Sequence, residues 1–174
     1  MGRDKALIEI GGVPLAVRVA AALRDAGATD VRAVGGHADA LSQLGLHVVA
    51  DRWPGEGPLG GILTALSALQ SARIVLVAAC DLVDPTPATI AATVRALDAQ
   101  PGAAVAAPIL EDRRRWDQAA WRITALAPLT DQFKAGERAI HRAVGAAGLT
   151  LADVGDIAPS SLRDADTPAD LPPA

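Results

Sequence analysis

The chain has 174 residues, a length suited to one domain with a sizeable core, and 51% of them are hydrophobic. Sixteen basic against twenty acidic side chains leave a formal charge of -4, which argues against a nucleic-acid binder with a basic face. The lone cysteine, Cys80, excludes an intrachain disulfide framework and a cysteine-rich metal site.

No uncharged apolar stretch reaches the roughly 18 residues of a membrane span, and the start lacks the apolar segment of a signal peptide, so a cytoplasmic location is expected. One Phe, three Trp and no Tyr mean that the core must be built from Ala, Leu, Val and Ile. That favours helices packed closely on a sheet over a small β-sandwich.

In chain order, Pro14 at a first helical position, apolar residues at Leu15, Val19, Ala22 and Leu23, and then Gly27 predict a helix over about 14–26. DVRAVGG (30–36) reads as a short strand ending in glycines, and LHVVAD (46–51) as a second strand closing on a carboxylate. RWPGEGPLGG (52–61) is a turn-rich loop that runs into a helix through ILTALSALQ. ARIVLVAACD (72–81) holds the longest β-branched run and is expected to be a buried central strand. Thr86 and Pro87 form a cap and a first helical residue for a helix to about 98.

AAVAAPI (103–109) is a further strand, EDRRR (111–115) a solvated loop, and WDQAAWR (116–122) another strand. Residues 124–147 read as two helical pieces broken at AGE (135–137), followed by a short strand in LTLADV (149–154) and a last helical turn in DTPADL (166–171). Strands alternating with helices call for a single α/β domain over 1–174, a three-layer α/β/α arrangement around a mostly parallel, Rossmann-like sheet.

Ligands of open α/β sheets collect at the carboxyl ends of the strands, and three features fall there. In MGRDK, Gly2, Arg3 and Lys5 set a backbone that permits close approach beside two cations, a pattern that suits phosphate, although an ordinary polar N-terminus reads the same way. Asp81 ends the most apolar strand, so its carboxylate emerges at the rim, where it is either a hard-oxygen ligand for magnesium or a cap for the next turn. Asp51 opens a loop in which Gly55, Gly57, Gly60 and Gly61 crowd within ten residues, a density that fits close ligand approach or a tight connection.

Asp166 is either an N-cap for TPADL or, with Asp164, a carboxylate near a metal. His37, His47 and His141 lack metal-ligand spacing, Cys80 has no evident base, and GxxxxGK[ST] does not occur.

MGRDKAL, GGVPL (11–15), DRWPGEGPLGGI (51–62), ACD (79–81), AGER (135–138) and DTPADL follow one another in an order that resembles the molybdenum cofactor guanylyltransferases and related NTP-transferase domains, over essentially the whole chain. The resemblance implies a nucleotide-diphospho-sugar-transferase type of fold. It also implies a magnesium-dependent transfer of a nucleoside monophosphate from GTP or CTP to molybdopterin or a similar acceptor, with release of pyrophosphate. It gives phosphate contacts to Gly2, Arg3 and Lys5 and places Asp51 and Gly60 in the nucleotide pocket. Asp81 takes the magnesium-binding position, with Asp166 near the metal and the reacting phosphates. Lys5 and Asp81 would carry the catalysis.

Molybdoenzyme maturation proteins are implied as further partners, with no nucleic acid and no membrane. Where guanylyltransferases read NxNTPEDL, this sequence has DADTPADL, closer to cytidylyltransferase-type members. A cytidylyltransferase or sugar-phosphate nucleotidyltransferase is therefore the alternative within the enzyme class. A noncatalytic nucleotide- or partner-binding remnant is the alternative outside it.

The family pattern LAGGxSxRMGxDKAL begins with a strand that precedes MGRDK, which implies an N-terminally shortened domain here. The expected consequence is a gap between the strands of 30–35 and 73–79. Met1 is then expected to be the internal methionine of the RMG motif.

Overall fold

A computed structural model describes residues 4–155 and 157–165. It begins with a turn of 3-10 helix at Lys5–Leu7, capped by the Asp4 carboxylate, which accepts from the Ala6 N–H. A hairpin of β1 (Glu9–Ile10) and β2 (Val13–Pro14) follows. Its two-residue turn is Gly11-Gly12, at φ +59° and +77°, values that hairpin turns of this length demand and that bulky residues resist. The sequence reading did not anticipate this hairpin.

Helix α1 (Leu15–Asp25) buries Leu15, Ala16, Val19, Ala20 and Ala22, a stripe at helical spacing, and Pro14 sits at its N-cap, so the helix begins one residue later than expected.

β3 (Arg32–Val34), α2 (Ala38–Gln43) and β4 (His47–Val49) form a βαβ unit whose strands pair in parallel, Arg32 with His47 through Val34 with Val49. Ala16 and Ala20 of α1, Leu41 of α2, and Leu46 close a small core against Ala6. Helix α3 (Pro58–Ala68) starts at the proline, earlier than the apolar run alone suggested.

β5 (Ile74–Leu76), β6 (Val105–Ala106), β9 (Ala120–Arg122) and β10 (Leu151–Ala152) make a four-stranded sheet in the order β10-β6-β9-β5. β10 and β6 are parallel, while β9 runs antiparallel to both neighbours. The expected α/β fold is present, with a mixed rather than a mostly parallel sheet.

The three layers follow from which side chains each face buries. Val75, Val105 and Trp121 point into the main core with Leu59, Leu63 and Leu66 of α3, Leu129 and Phe133 of α5 (Leu126–Lys134), and Val144 of α6 (Ile140–Ala146). Ala106 and Ala120 point the other way, onto Leu97 of α4 (Pro87–Asp98). Thr86 caps α4 as expected, its side chain accepting from the Thr89 N–H, and the α5–α6 break begins at the expected AGE and extends over 135–139.

Two expectations need correction. The run expected to be a central strand contributes β5, which lies at one edge of the four-stranded sheet. Its second side does not pair with β3 among the described residues. Between them lies a cavity of about 480 Å³, lined by Val31, Val34, Leu69, Ile74, Leu76 and Val94 among others. The expected gap between these two strands is therefore a feature of the fold, and β5 is edge-like because nothing described bridges it.

The EDRRR segment is also not a free loop. β7 (Ile109–Leu110) and β8 (Arg113–Arg114) form a hairpin turning through Glu111 and Asp112, at φ +50° and +61°. Arg115 beyond it is engaged by two carboxylates.

Candidate active site

The carboxyl ends of β3, β4 and β5 and the N-terminal turn meet along one rim. Lys5 Nζ donates to Asp81 Oδ2 at 3.2 Å, joining side chains 76 residues apart in sequence. Lys5 is one-third exposed and Asp81 17% exposed, so the pair is accessible from solvent and screened by it. Beside Lys5, the Asp4 carboxylate accepts from its own turn at Ala6 N (3.0 Å) and from His37 N (3.4 Å), which ties the turn to the loop after β3.

A Cβ placed on Gly36 in that loop would stand 3.6 Å from Asp4 Oδ2 and 3.0 Å from Leu41 Cδ1, while one on neighbouring Gly35 would stand 3.5 Å from Asp51 Cβ. Lys5, Asp4, the Gly35-Gly36 turn and Asp51 are thus consecutive neighbours, with Asp81 at the Lys5 end.

Asp51 is held firmly. Its Oδ1 accepts from Trp53 N at 3.0 Å and lies 2.9 Å from the Thr64 hydroxyl, whose oxygen in turn accepts from Arg52 N at 3.1 Å. These bonds fold the start of the glycine-rich loop onto α3. Trp53 then packs its ring 5.2 Å from Phe133, with the Arg52 guanidinium 5.1 Å over Trp53 and that of Arg138 3.9 Å over Phe133. Arg138 also donates through Nε to Glu56 Oε2 at 2.7 Å, fastening the loop to the α5–α6 connection.

Gly60 has a steric reason of its own: an added Cβ would lie 3.2 Å from Trp53 Cβ and 3.4 Å from the Trp53 carbonyl oxygen. Thr64, which fixes this loop, lies in no motif that would single it out in the sequence, and Glu56 sits unremarked within DRWPGEGPLGGI.

Glu137 of AGER braces the two residues that lead into α6. Its carboxylate accepts from Arg142 and from the Arg138 and Ala139 N–H groups. Its pKa is held down to about 2, first by Arg142 and then by the backbone donors.

Cys80, next to Asp81, has its thiol pushed up to about 11. Desolvation is the largest cause even though the residue keeps exposed surface; the Asp81 and Asp4 carboxylates add to it and Lys5 opposes them. A thiol so protonated at neutral pH is a poor nucleophile, in line with its lack of an evident base.

The carboxyl side of β5 is framed by two other segments. Val77 N and Ala79 N donate to Ala119 O (2.9 Å) and Asp117 O (2.7 Å). Val83 N donates to Arg163 O (3.1 Å), and Ala165 N to Asp81 O (2.9 Å). Residues 163–165 thus lie antiparallel against 81–83, with Leu82 bridged to Asp164.

Asp164 pairs with Arg115, not with a second acidic group: Arg115 Nη2 lies 2.7 Å from Asp164 Oδ2 and 3.1 Å from Asp117 Oδ2. Desolvation is the strongest single influence on Arg115 and lowers its pKa, but the combined pull of Asp164 and Asp117 outweighs it and raises the value.

Of the sequence-derived site residues, Lys5 and Asp81 come into contact, and Asp51 and Gly60 lie together at the glycine loop along the same rim. Gly2, Arg3 and Asp166 lie outside the described residues, as does DTPADL. Among the described residues no three His, Cys, Asp or Glu side chains gather as a metal cage. Magnesium does not need one: it retains waters and takes one or two carboxylates together with substrate phosphates, and a rim carboxylate such as Asp81 suits that donor set. Nor is any helix among the described residues long and apolar enough to cross a membrane.

The family model described as the MobA-like NTP transferase domain matches residues 1–150. A probable molybdenum cofactor guanylyltransferase of Chloroflexus aggregans is 33% identical over 185 residues, spanning 98% of this chain and 85% of that protein. The molybdenum cofactor guanylyltransferase of Rhodobacter capsulatus is 34% identical over 174 residues, spanning 98% and 86%.

Among solved structures, molybdopterin-guanine dinucleotide biosynthesis protein A from Archaeoglobus fulgidus superposes with a TM-score of 0.73 at 19% identity, over 97% of this chain and 87% of its own. The 2-C-methyl-D-erythritol 4-phosphate cytidylyltransferase of Thermus thermophilus gives 0.71 at 20%, over 95% and 89%. At these identities the two structures speak to the fold alone.

Proposed function

Because this chain belongs to the MobA-like NTP-transferase family, we infer that it transfers a nucleoside monophosphate from GTP to a molybdopterin-type acceptor and releases pyrophosphate. The observation that carries this reading is the Lys5–Asp81 pair at the strand-end rim, one cation and one hard-oxygen carboxylate side by side and open to solvent. In the reaction an acceptor phosphate oxygen forms a bond to the α-phosphorus. The bond from that phosphorus to the bridging oxygen breaks, and pyrophosphate departs with the electron pair.

Such chemistry rests on alignment and charge neutralisation, without a covalent protein nucleophile. Lys5 would offer its ammonium to the phosphate oxygens, joined by Gly2 and Arg3 of the same motif. Asp51, braced by Trp53 N and the Thr64 hydroxyl, would set the glycine loop that flanks the nucleotide, with Gly60 allowing the loop to pack closely. Asp81, with Asp166, would hold magnesium, which when bound offsets the charge that develops on the triphosphate.

Guanylyl transfer is favoured because the curated relatives are guanylyltransferases. The DADTPADL ending supports CTP as the second reading.

Pyrophosphate release by the purified chain with magnesium and molybdopterin, run in parallel with GTP and CTP, tests both. Release with GTP that requires the acceptor supports the first, and release with CTP alone replaces it with the second. Nucleotide binding without turnover in either assay would favour the noncatalytic reading.

A further inference from the structure

Asp81 sits in a short segment, 79–83, that is held from two directions by chain distant in sequence. Ala79 is bonded to the backbone of Asp117, and Asp81 and Val83 to the backbone of residues 163–165. One side chain closes these two clamps on each other. Arg115 grips Asp117 with both Nε and Nη2, at 3.3 and 3.1 Å, and reaches Asp164 Oδ2 with Nη2 at 2.7 Å. Below it Gln118, nearly buried, donates to Leu162 O at 3.0 Å, so the two clamps are also stitched at a second point.

The Arg115 side chain is only 19% exposed, and charge-assisted forks of this kind impose geometry as well as attraction. We propose that Arg115 is a positioning residue for Asp81: by latching Asp117 to Asp164 it fixes the 79–83 segment, and with it the direction of the Asp81 carboxylate. Among the described residues Arg115 itself touches neither Lys5, Asp51 nor Asp81, and its side chain is engaged by Asp117 and Asp164.

The consequence for catalysis rests on the nucleotidyltransferase reading above; the consequence for local order does not. The two are therefore read separately on Arg115→Met, Arg115→Lys and Asp164→Asn in the full chain. Native-state hydrogen exchange reports the latch directly. The amides of Ala79, Val83 and Ala165 are expected to lose about tenfold or more of their protection in Arg115→Met, the scale of losing hydrogen bonds to charged groups. Those of α3 and β6 are expected to hold theirs. Asp164→Asn, which keeps the shape, should give a smaller loss at Val83 and Ala165.

Should Arg115→Met unfold globally, Asp164→Asn and Arg115→Lys carry the same comparison. Unchanged protection of these three amides in whichever variants fold overturns the proposal, as does a loss spread evenly over the whole chain.

In the transferase assay, a positioning role predicts a lower kcat and a higher magnesium requirement, with the KM for nucleotide changed less. Lysine should restore part of the rate, since it keeps the charge and loses the fork. If exchange shows the local loss but no form of the protein turns over, the function reading fails and the latch stands. If turnover is present and the variants raise KM alone, the positioning role is overturned.

Discussion

Lys5 and Asp81 meet at 3.2 Å across 76 residues of sequence, the amine of the N-terminal turn on the carboxylate that ends the β5 segment. Each is the natural counter-ion of the other while no phosphate or cation is present. Both are exposed enough that the pair contributes about 1 kcal/mol or less to stability. The same two groups can therefore be re-partnered, Lys5 to a phosphate and Asp81 to a cation, at small cost to the fold.

That reasoning fixes what Asp81→Asn should do. Side-chain volume and rim location are kept, so the melting temperature should move by only a few degrees. A negative hard-oxygen ligand is removed, so turnover should fall by on the order of 10²-fold or more, with nucleotide affinity falling less. Asp166→Asn is the control, because the guanylyltransferase pattern carries Asn at that place, and it should be tolerated much better. Steady-state pyrophosphate release over a magnesium titration checks both. Near-parental turnover by Asp81→Asn at low magnesium, with Asp166→Asn inactive, would reverse the assignment of the principal ligand.

The glycine loop offers a test in which two adjacent residues of one type should respond with opposite sign. Gly60 faces Trp53 at 3.2 Å from an added Cβ, and Trp53 cannot retreat easily because Phe133 stands behind it. Gly61, the next residue of the same helix, has nothing within 4 Å of such an atom. Gly60→Ala should destabilise by about 1 kcal/mol through overpacking. Gly61→Ala should stabilise by about 0.5–1 kcal/mol, because alanine is the better helix former and restricts the unfolded chain. Urea denaturation of the two single variants reads the difference, and equal effects would remove the packing explanation for Gly60.

What could be read from the sequence follows how locally each feature is encoded. Thr86 with Pro87, the spacing of Leu15, Val19 and Ala22, and the AGE break are local signals, and each helix end they mark falls within a residue or two of expectation. Strand direction is not local. β9 runs antiparallel to β5 and β6 because of how the chain returns between them, and nothing in AWR records that.

Arg115 was hidden for the same reason: in EDRRR it looks like one more solvated cation, and its partner Asp164 lies 49 residues away. The resemblance of the MGRDKAL and ACD motifs assigned Lys5 and Asp81 to one site, but their direct contact was not foreseen, since spacing alone does not bring those residues together. β5 had the composition of a central strand, and only the pairing pattern reveals it as an edge facing a cavity.

The last prediction concerns acid and the AGER segment. Glu137 has an ordinary carboxyl pKa of 4.5 and is held down to about 2 in the folded chain, first by Arg142 and then by the amides of Ala139 and Arg138 just ahead of α6. A group with a depressed folded pKa favours folding when pH lies above its unfolded value. That contribution is lost as pH falls through the folded value. Its effect is therefore complete above about pH 5 and declines between pH 4.5 and about 2.

Glu137→Gln cannot ionise and keeps an oxygen that the same donors can reach. The difference in stability between parent and Glu137→Gln should accordingly be constant from pH 7 to 5, shrink below 4.5, and be nearly gone at about pH 2. Thermal melts of both proteins across that range measure the difference directly, because the other carboxylates are common to the pair and cancel. A gap that stayed constant down to the acid limit would mean that Glu137 holds the start of α6 by shape alone, with its charge making no contribution.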